Sequence, residues 1–279
     1  MYALSEKMVR RSFASKASRI ERVKENLLIA FPEVDERELE KLVEGFFVHQ
    51  ASFITELILI KTGRFDFTNS VVNEKEFLAR LDRLKRANEK GIVFLVAHFG
   101  NWEYMGHLFA LNGIVTHVVA KEMKNSLIDE KIIVPFRTMH GNVSIERNGA
   151  VLAMSRVLRR KGAIGFLIDQ MIPPPNGTLI EFFGKKAYAS RSLAQLKLKF
   201  DPLVVPIFAV REGRGKFRVI IDDPIEYIAS ESDDKEERIR LMTQRYTDAV
   251  EKRIKEYPSQ WQWSYRRWRI PRKNSGNRS

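Results

Sequence analysis

The sequence predicts an α/β fold: a mostly parallel central sheet flanked by helices, with a helical N-terminal extension. Three observations carry this. After Gly91 short apolar runs alternate with amphipathic helical stretches. Those runs are apolar on both faces, as strands covered on both sides of a parallel sheet are. The first 90 residues hold helical patterns instead. The expected division is therefore a helical extension over residues 1–90 and an α/β domain over residues 91–279. At 279 residues the chain can bury a sizeable core, and 44% hydrophobic residues exclude disorder throughout.

The elements follow in order. Asp35 and Glu38 have capping-box spacing ahead of a helical pattern that runs to about Thr62. Inside it lies the most apolar window, FFVHQASFITELILI. It is 15 residues long and carries His49, Gln50 and Glu56, which reads as too short and too polar to span a bilayer. The expectation is a soluble or peripheral protein. A second amphipathic helix covers residues 73–88 and stops at Lys90-Gly91. Strands are predicted over 92–97, 115–120, 163–168, 203–210 and 217–221, and helices over 102–111, 126–139, 149–161 and 190–200. PPPNG at 173–177 is a loop, and a helix over 233–256 precedes the basic, aromatic ending QWQWSYRRWRIPRK. Residues 274–279 read as frayed.

Composition narrows the chemistry. The chain has no cysteine, which excludes disulfides, cysteine nucleophiles and thiolate metal sites. A net charge of +13 seeks phosphate in nucleic acid or anionic lipid, or the surface of an acidic carrier protein.

The segment IVFLVAHFGNWE, residues 92–103, is the candidate site. On one continuous helix His98 and Glu103 would diverge by roughly 140° around the axis. They meet only if the chain turns between them. Gly100 permits such a turn and Asn101 is a good helix N-cap. His98 then stands at the carboxyl end of a strand, where open α/β sheets hold their ligands. Glu103, in the first helical turn, reaches back to fix the tautomer of a general base. The plain alternative is a hydrogen-bonded structural histidine and a glutamate that only favours the helix dipole. His98, His107 and His117 match no zinc-ligand spacing, so no metal site is expected.

AHFGNWE resembles the histidine-x4-acidic motif of the glycerophospholipid and lysophospholipid acyltransferase superfamily, and its glutamate is similar to the branch that acylates lipid A precursors. VKENLLIAFPEVDERE, IERNGAVLAMSRVLRRKGAIGFLIDQ, EFFGKKAYASRSLAQLKLKFDPLVVPIFAVR and YPSQWQWSYRRWR resemble further blocks of that branch, in the expected order along nearly the whole chain. The resemblance implies transfer of a fatty acyl group from acyl carrier protein or acyl-CoA to a hydroxyl of a membrane glycolipid. It implies His98 as general base with Glu103 as its partner. It places Arg147 toward phosphate or the thioester carbonyl, and Asp169 and Gln170 in the pocket. Asn101 is counted with these substrate-binding residues. No cofactor is implied, and the location expected is the cytoplasmic face of the inner membrane, peripherally attached.

The acceptor stays open between a lipid A precursor and mannosylated phosphatidylinositol, a lysophospholipid or an ornithine lipid. A thioesterase or lipid hydrolase would use the same dyad with water, and a basic lipid- or nucleic-acid-binding protein would use no dyad at all. Members of the branch usually begin with a hydrophobic anchor. The first segment here instead interleaves Tyr2, Met8, Val9, Phe13 and Ile20 with Lys7, Arg10, Arg11, Lys16, Arg19 and Arg22. That pattern suits an interfacial helix on anionic lipid or a charged helix packed on the core. Trp261, Trp263, Tyr265 and Trp268 among Arg266, Arg267 and Arg269 fit packing with lipid-phosphate contact better than stacking on single-stranded nucleic acid, so no nucleic-acid partner is expected. Arg159, Arg160, Lys161, Lys185 and Lys186 are candidates to steer an acidic carrier.

Overall fold

A computed structural model describes residues 1–14, 17–120, 126–146 and 149–269. Lys16, Arg147 and residues 274–279, each given a reading above, lie outside them. Four helices open the chain: α1 (Tyr2–Ala14), α2 (Ala17–Ala30), α3 (Glu36–Lys61) and α4 (Glu74–Ala87). The Asp35 carboxylate accepts from the Glu38 backbone N–H at 2.7 Å, which starts α3 where the sequence places its cap. The caps rather than the apolar window set the length of α3. At 26 residues it is long and apolar enough to cross a membrane, a point on which the 15-residue window misleads. Yet 61% of its apolar stretch is buried inside the protein, and His49 and Glu56 point inward.

The α/β part follows as β1 (Ile92–Val96), α5 (Trp102–Leu111), β2 (Thr116–Ala120), α6 (Ser126–Ile128), α7 (Val134–Thr138), β3 (Val143–Glu146), α8 (Ala150–Arg159), β4 (Ala163–Leu167), β5 (Gly177–Phe182), β6 (Lys185–Ser190), α9 (Ser192–Phe200), β7 (Leu203–Gly213), β8 (Lys216–Ile221) and α10 (Lys235–Glu256). Six strands form one sheet in the order β3-β2-β4-β1-β7-β8. Every pairing is parallel except β7 with β8. The fold is α/β, as expected.

The pleat explains the burial of β1 on both faces. Val93 and Leu95 enter one apolar cluster with residues of α2, α3, α8, α9 and α10. Ile92, Phe94 and Val96 enter a second cluster under α4 and α5. Val23, Leu27 and Phe46 belong to the first cluster, so the N-terminal helices share a core with the sheet.

Three features depart from the sequence reading. VSIE, only four residues, adds β3 at the sheet edge. The segment after PPPNG forms an antiparallel hairpin, β5–β6. Its turn, Phe183-Gly184, has positive φ at both residues, as two-residue hairpin turns of the twist-matching type require. Phenylalanine in place of asparagine hides that turn from inspection. Finally, residues 126–139 are not one continuous helix: a π-helical turn, Asp129–Ile133, separates α6 from α7. Pro135, in the first turn of α7, has no N–H to continue an α-helical ladder from upstream.

Candidate active site

Five apolar residues of β1 deliver the chain to the carboxyl edge of the sheet, where His98 follows. The turn into α5 is fixed by backbone. Gly100 N–H donates to Gln260 O at 2.9 Å, and Asn101 N–H donates to Ala209 O at 3.2 Å. Gly100 has φ +58°, and a Cβ there would lie 1.9 Å from Ala209 O, so only glycine fits. Asn101 caps α5 by accepting from Tyr104 N–H at 2.9 Å, and its amide donates to Glu56 Oε2 at 2.7 Å. It is fully buried, with both ends of its amide committed. Against the expectation of a substrate contact, its side chain holds the turn.

The same register that pairs Val96 with Leu167 brings His98 beside Asp169, each two residues past its strand. Asp169 Oδ1 lies 2.8 Å from His98 Nδ1, and Asp169 Oδ2 accepts from the His98 backbone N–H at 2.9 Å. Trp261 Nε1–H donates to Oδ2 at 2.8 Å. Three donors thus face a buried carboxylate. Burial works against its charge, but His98 and these hydrogen bonds together hold its pKa below the usual carboxylate value. On His98 burial disfavours the charged imidazole, yet the Asp169 charge and hydrogen bond outweigh it, and the pKa lies above the ordinary 6.5. With Nδ1 facing Asp169, Nε2 is the basic nitrogen, and Gln170 Nε2 sits 3.2 Å from it.

Glu103 does not make the contact expected of it. Its carboxylate takes two donors of Arg137, Nε at 3.1 Å and Nη2 at 2.5 Å. Asp169 already occupies Nδ1, so Glu103 acts on the imidazole only through its field, which also favours the charged form. Arg147 falls outside the described residues.

An apolar cavity lies between α5 and the sheet. Trp102, edge-on to His98 at 5.0 Å between ring centroids, lines it together with Glu103 and Arg137. Phe94, Val96, Val118, Leu167 and Met105 form much of its wall. Among the described residues no cluster of three or more metal-binding side chains occurs. Sequence reasoning missed Asp169 as the partner of His98, Arg137 as the partner of Glu103, and the role of Trp261. No local pattern marks any of them.

The basic and aromatic ending is mostly interior. Trp261, Trp263 and Arg267 are buried, whereas Arg266 and Arg269 are exposed. Arg159, Arg160 and Lys161 end α8 and lead into β4, so they lie at the opposite edge of the sheet from His98. No curated protein sequence matches the chain. A strand-end histidine, a buried carboxylate on its far nitrogen and an apolar cavity beside it are a setting for acyl chemistry, and the family comparison agrees. Residues 3–270 match the profile described as bacterial lipid A biosynthesis acyltransferase, and the chain belongs to that family.

Proposed function

We propose that the protein transfers a fatty acyl group from a thioester, carried by acyl carrier protein or coenzyme A, to a hydroxyl of a membrane glycolipid, with a lipid A precursor as the acceptor. The carrying observation is the state of His98. Its Nδ1 is committed to buried Asp169, its Nε2 lies 3.2 Å from the Gln170 amide nitrogen, and Trp102 against its ring lines an apolar cavity.

The acceptor hydroxyl takes the place that Gln170 now holds at Nε2. Nε2 removes its proton as the oxygen attacks the thioester carbonyl carbon, and Asp169 stabilises the imidazolium that forms. The tetrahedral adduct then collapses. The carbon–sulfur bond breaks, the imidazolium returns its proton to the departing sulfur, and an ester and a thiol result. No electrons are transferred, so donor and acceptor balance the step. In this reading Glu103 and Arg137 form the rim of the cavity, where Arg137 faces the carbonyl oxygen or a lipid phosphate.

Attachment to a membrane surface is part of the same proposal. Leu127, Ile132, Val151 and Leu152 are exposed and follow the carboxyl ends of β2 and β3, the edge on which His98 stands. On α1 exposed Leu4 and Met8 lie beside exposed Lys7 and Arg11, while Val9 packs inward. This is the arrangement of an interfacial helix on anionic lipid.

The test is transfer of labelled acyl groups from acyl carrier protein and from acyl-CoA to lipid acceptors, wild type against His98→Ala. Loss of roughly 100-fold or more is expected for removal of a general base. Undiminished transfer by the variant overturns the mechanism, and acyl release with no acceptor present indicates a hydrolase instead.

A further inference from the structure

The cavity near His98 has Trp102, which packs against the imidazole, and α5 in its wall. Its lining runs from Trp102, Glu103 and Arg137 along α5 through Gly106 and His107 to Phe109. Two glycines make its width. A Cβ on Gly106 would meet only Asn142 Nδ2 at 3.5 Å, and one on Gly165 would meet Val118 Cγ2 at 3.2 Å. At Gly106 the missing side chain leaves room between helix and sheet, and at Gly165 it spares Val118 a crowded contact. Asn142 braces that wall, donating to Gly106 O at 2.9 Å and accepting from Thr116 N–H at 2.9 Å.

One of two paired histidines stands in this wall. His107 is buried, and its Nδ1 lies 2.9 Å from Nδ1 of His140. His140 faces the other way, into a surface groove of about 490 Å³ that Phe67, Leu108 and Leu111 also line. Phe67 sets its ring against both imidazoles, at 5.5 Å and 6.3 Å, and Phe136 lies edge-on to His107 at 4.7 Å. The pair therefore stands between the two spaces, His107 lining the cavity and His140 the groove. Burial, and for His107 the neighbouring imidazole, lower both pKa values, that of His107 to about 4, so the pair is uncharged at neutral pH.

We propose that the His107–His140 pair is the stop of the acyl pocket and sets the longest chain the enzyme accepts, an assignment that rests on the acyl-transfer reading. The cavity now encloses about 70 Å³, so it takes only a short run of methylenes without movement of its lining. A longer chain must part the histidines, which exchanges their hydrogen bond for contact with hydrocarbon. Below that length the chain meets apolar side chains and two bare glycine positions.

Two variants move the stop in opposite directions. Gly106→Leu fills the cavity ahead of the histidines, and His140→Ala opens the cavity toward the groove. Two readouts are taken on purified protein of wild type and both variants. One is competitive transfer from saturated thioesters, octanoyl to stearoyl. The other is displacement of a bound fluorescent fatty acid by free fatty acids of the same lengths, which needs no acceptor and no turnover. Gly106→Leu should lower the cut-off length and His140→Ala should raise it, changing long-to-short selectivity by about tenfold or more, as methylene exclusion does. If Gly106→Leu does not fold, Gly106→Ala and His140→Ala carry the test. Folded variants that keep the wild-type length profile in both assays overturn the stop, even where transfer itself is intact. A binding cut-off that moves as expected in a protein that transfers nothing overturns the acyl-transfer reading and leaves the pocket assignment standing.

Discussion

Asp169 and Glu103 both lie close enough to influence His98, and their chemistry differs because their hydrogen bonds differ. Asp169 touches the imidazole; Glu103 is held by Arg137. Both carboxylates raise the pKa of His98, while burial lowers it. A general base must be neutral, so the rate should fall as pH drops through a value above 6.5. Asp169→Asn removes the largest opposing charge, so the acid limb should move to lower pH. The rate should fall by up to ~10⁴, because the tautomer is no longer held. Glu103→Gln should shift the limb less. Measuring the pH dependence of kcat/KM for the three proteins decides between the partners. An unmoved limb in Asp169→Asn together with a large shift in Glu103→Gln would return the role to Glu103.

At the scale of elements, the joint between β1 and α5 is the most constrained piece of backbone. A residue with positive φ, a close approach to β7 and a capped helix start coincide within three positions. Gly100→Ala forces a methyl against Ala209 O and an L-residue into the left-handed region. The expected cost is more than about 2 kcal/mol, as overpacking and left-handed strain combine. Thermal unfolding and transfer assays read it. Wild-type stability together with wild-type activity would mean that the turn does not need this geometry. The hairpin β5–β6 and the short strand β3 frame this sheet, and neither carries a signal as strong as the one that places β1.

For the whole molecule, α3 ties the layers together through a buried charge. Glu56 accepts from Arg211 Nε at 2.8 Å and from Asn101, and Arg211 also meets His49. Gln260 pairs with the Arg211 backbone in both directions, at 2.8 Å and 2.9 Å. Helix, sheet, the joint after β1 and the C-terminal segment thus converge on one ion pair. Removing one member of a buried pair leaves an uncompensated charge, so Glu56→Ala should lose roughly 3–5 kcal/mol in denaturant unfolding. A loss below about 1 kcal/mol would place the pair among exposed ones, which contribute little.

Much of this was legible beforehand. Alternating apolar and amphipathic stretches give the class of fold, because covering both faces of a parallel sheet demands them. Gly100 and Asn101 announce a strand-to-helix joint, and Asp35 announces the start of α3, since caps and positive φ are local requirements. The sequence alone therefore determined that the sheet exists, that His98 stands at its carboxyl edge and that a helix begins just after. Only the tertiary structure decided what His98 touches. β1 and β4 are neighbours although 70 residues, 97–166, lie between their last positions, Val96 and Leu167, which are opposite in register. Strand adjacency arises from packing, and no residue in the AHFGNWE segment records it. The same holds for Arg137 beside Glu103 and for His140 against His107, pairs joined across space by elements whose order the chain does not spell.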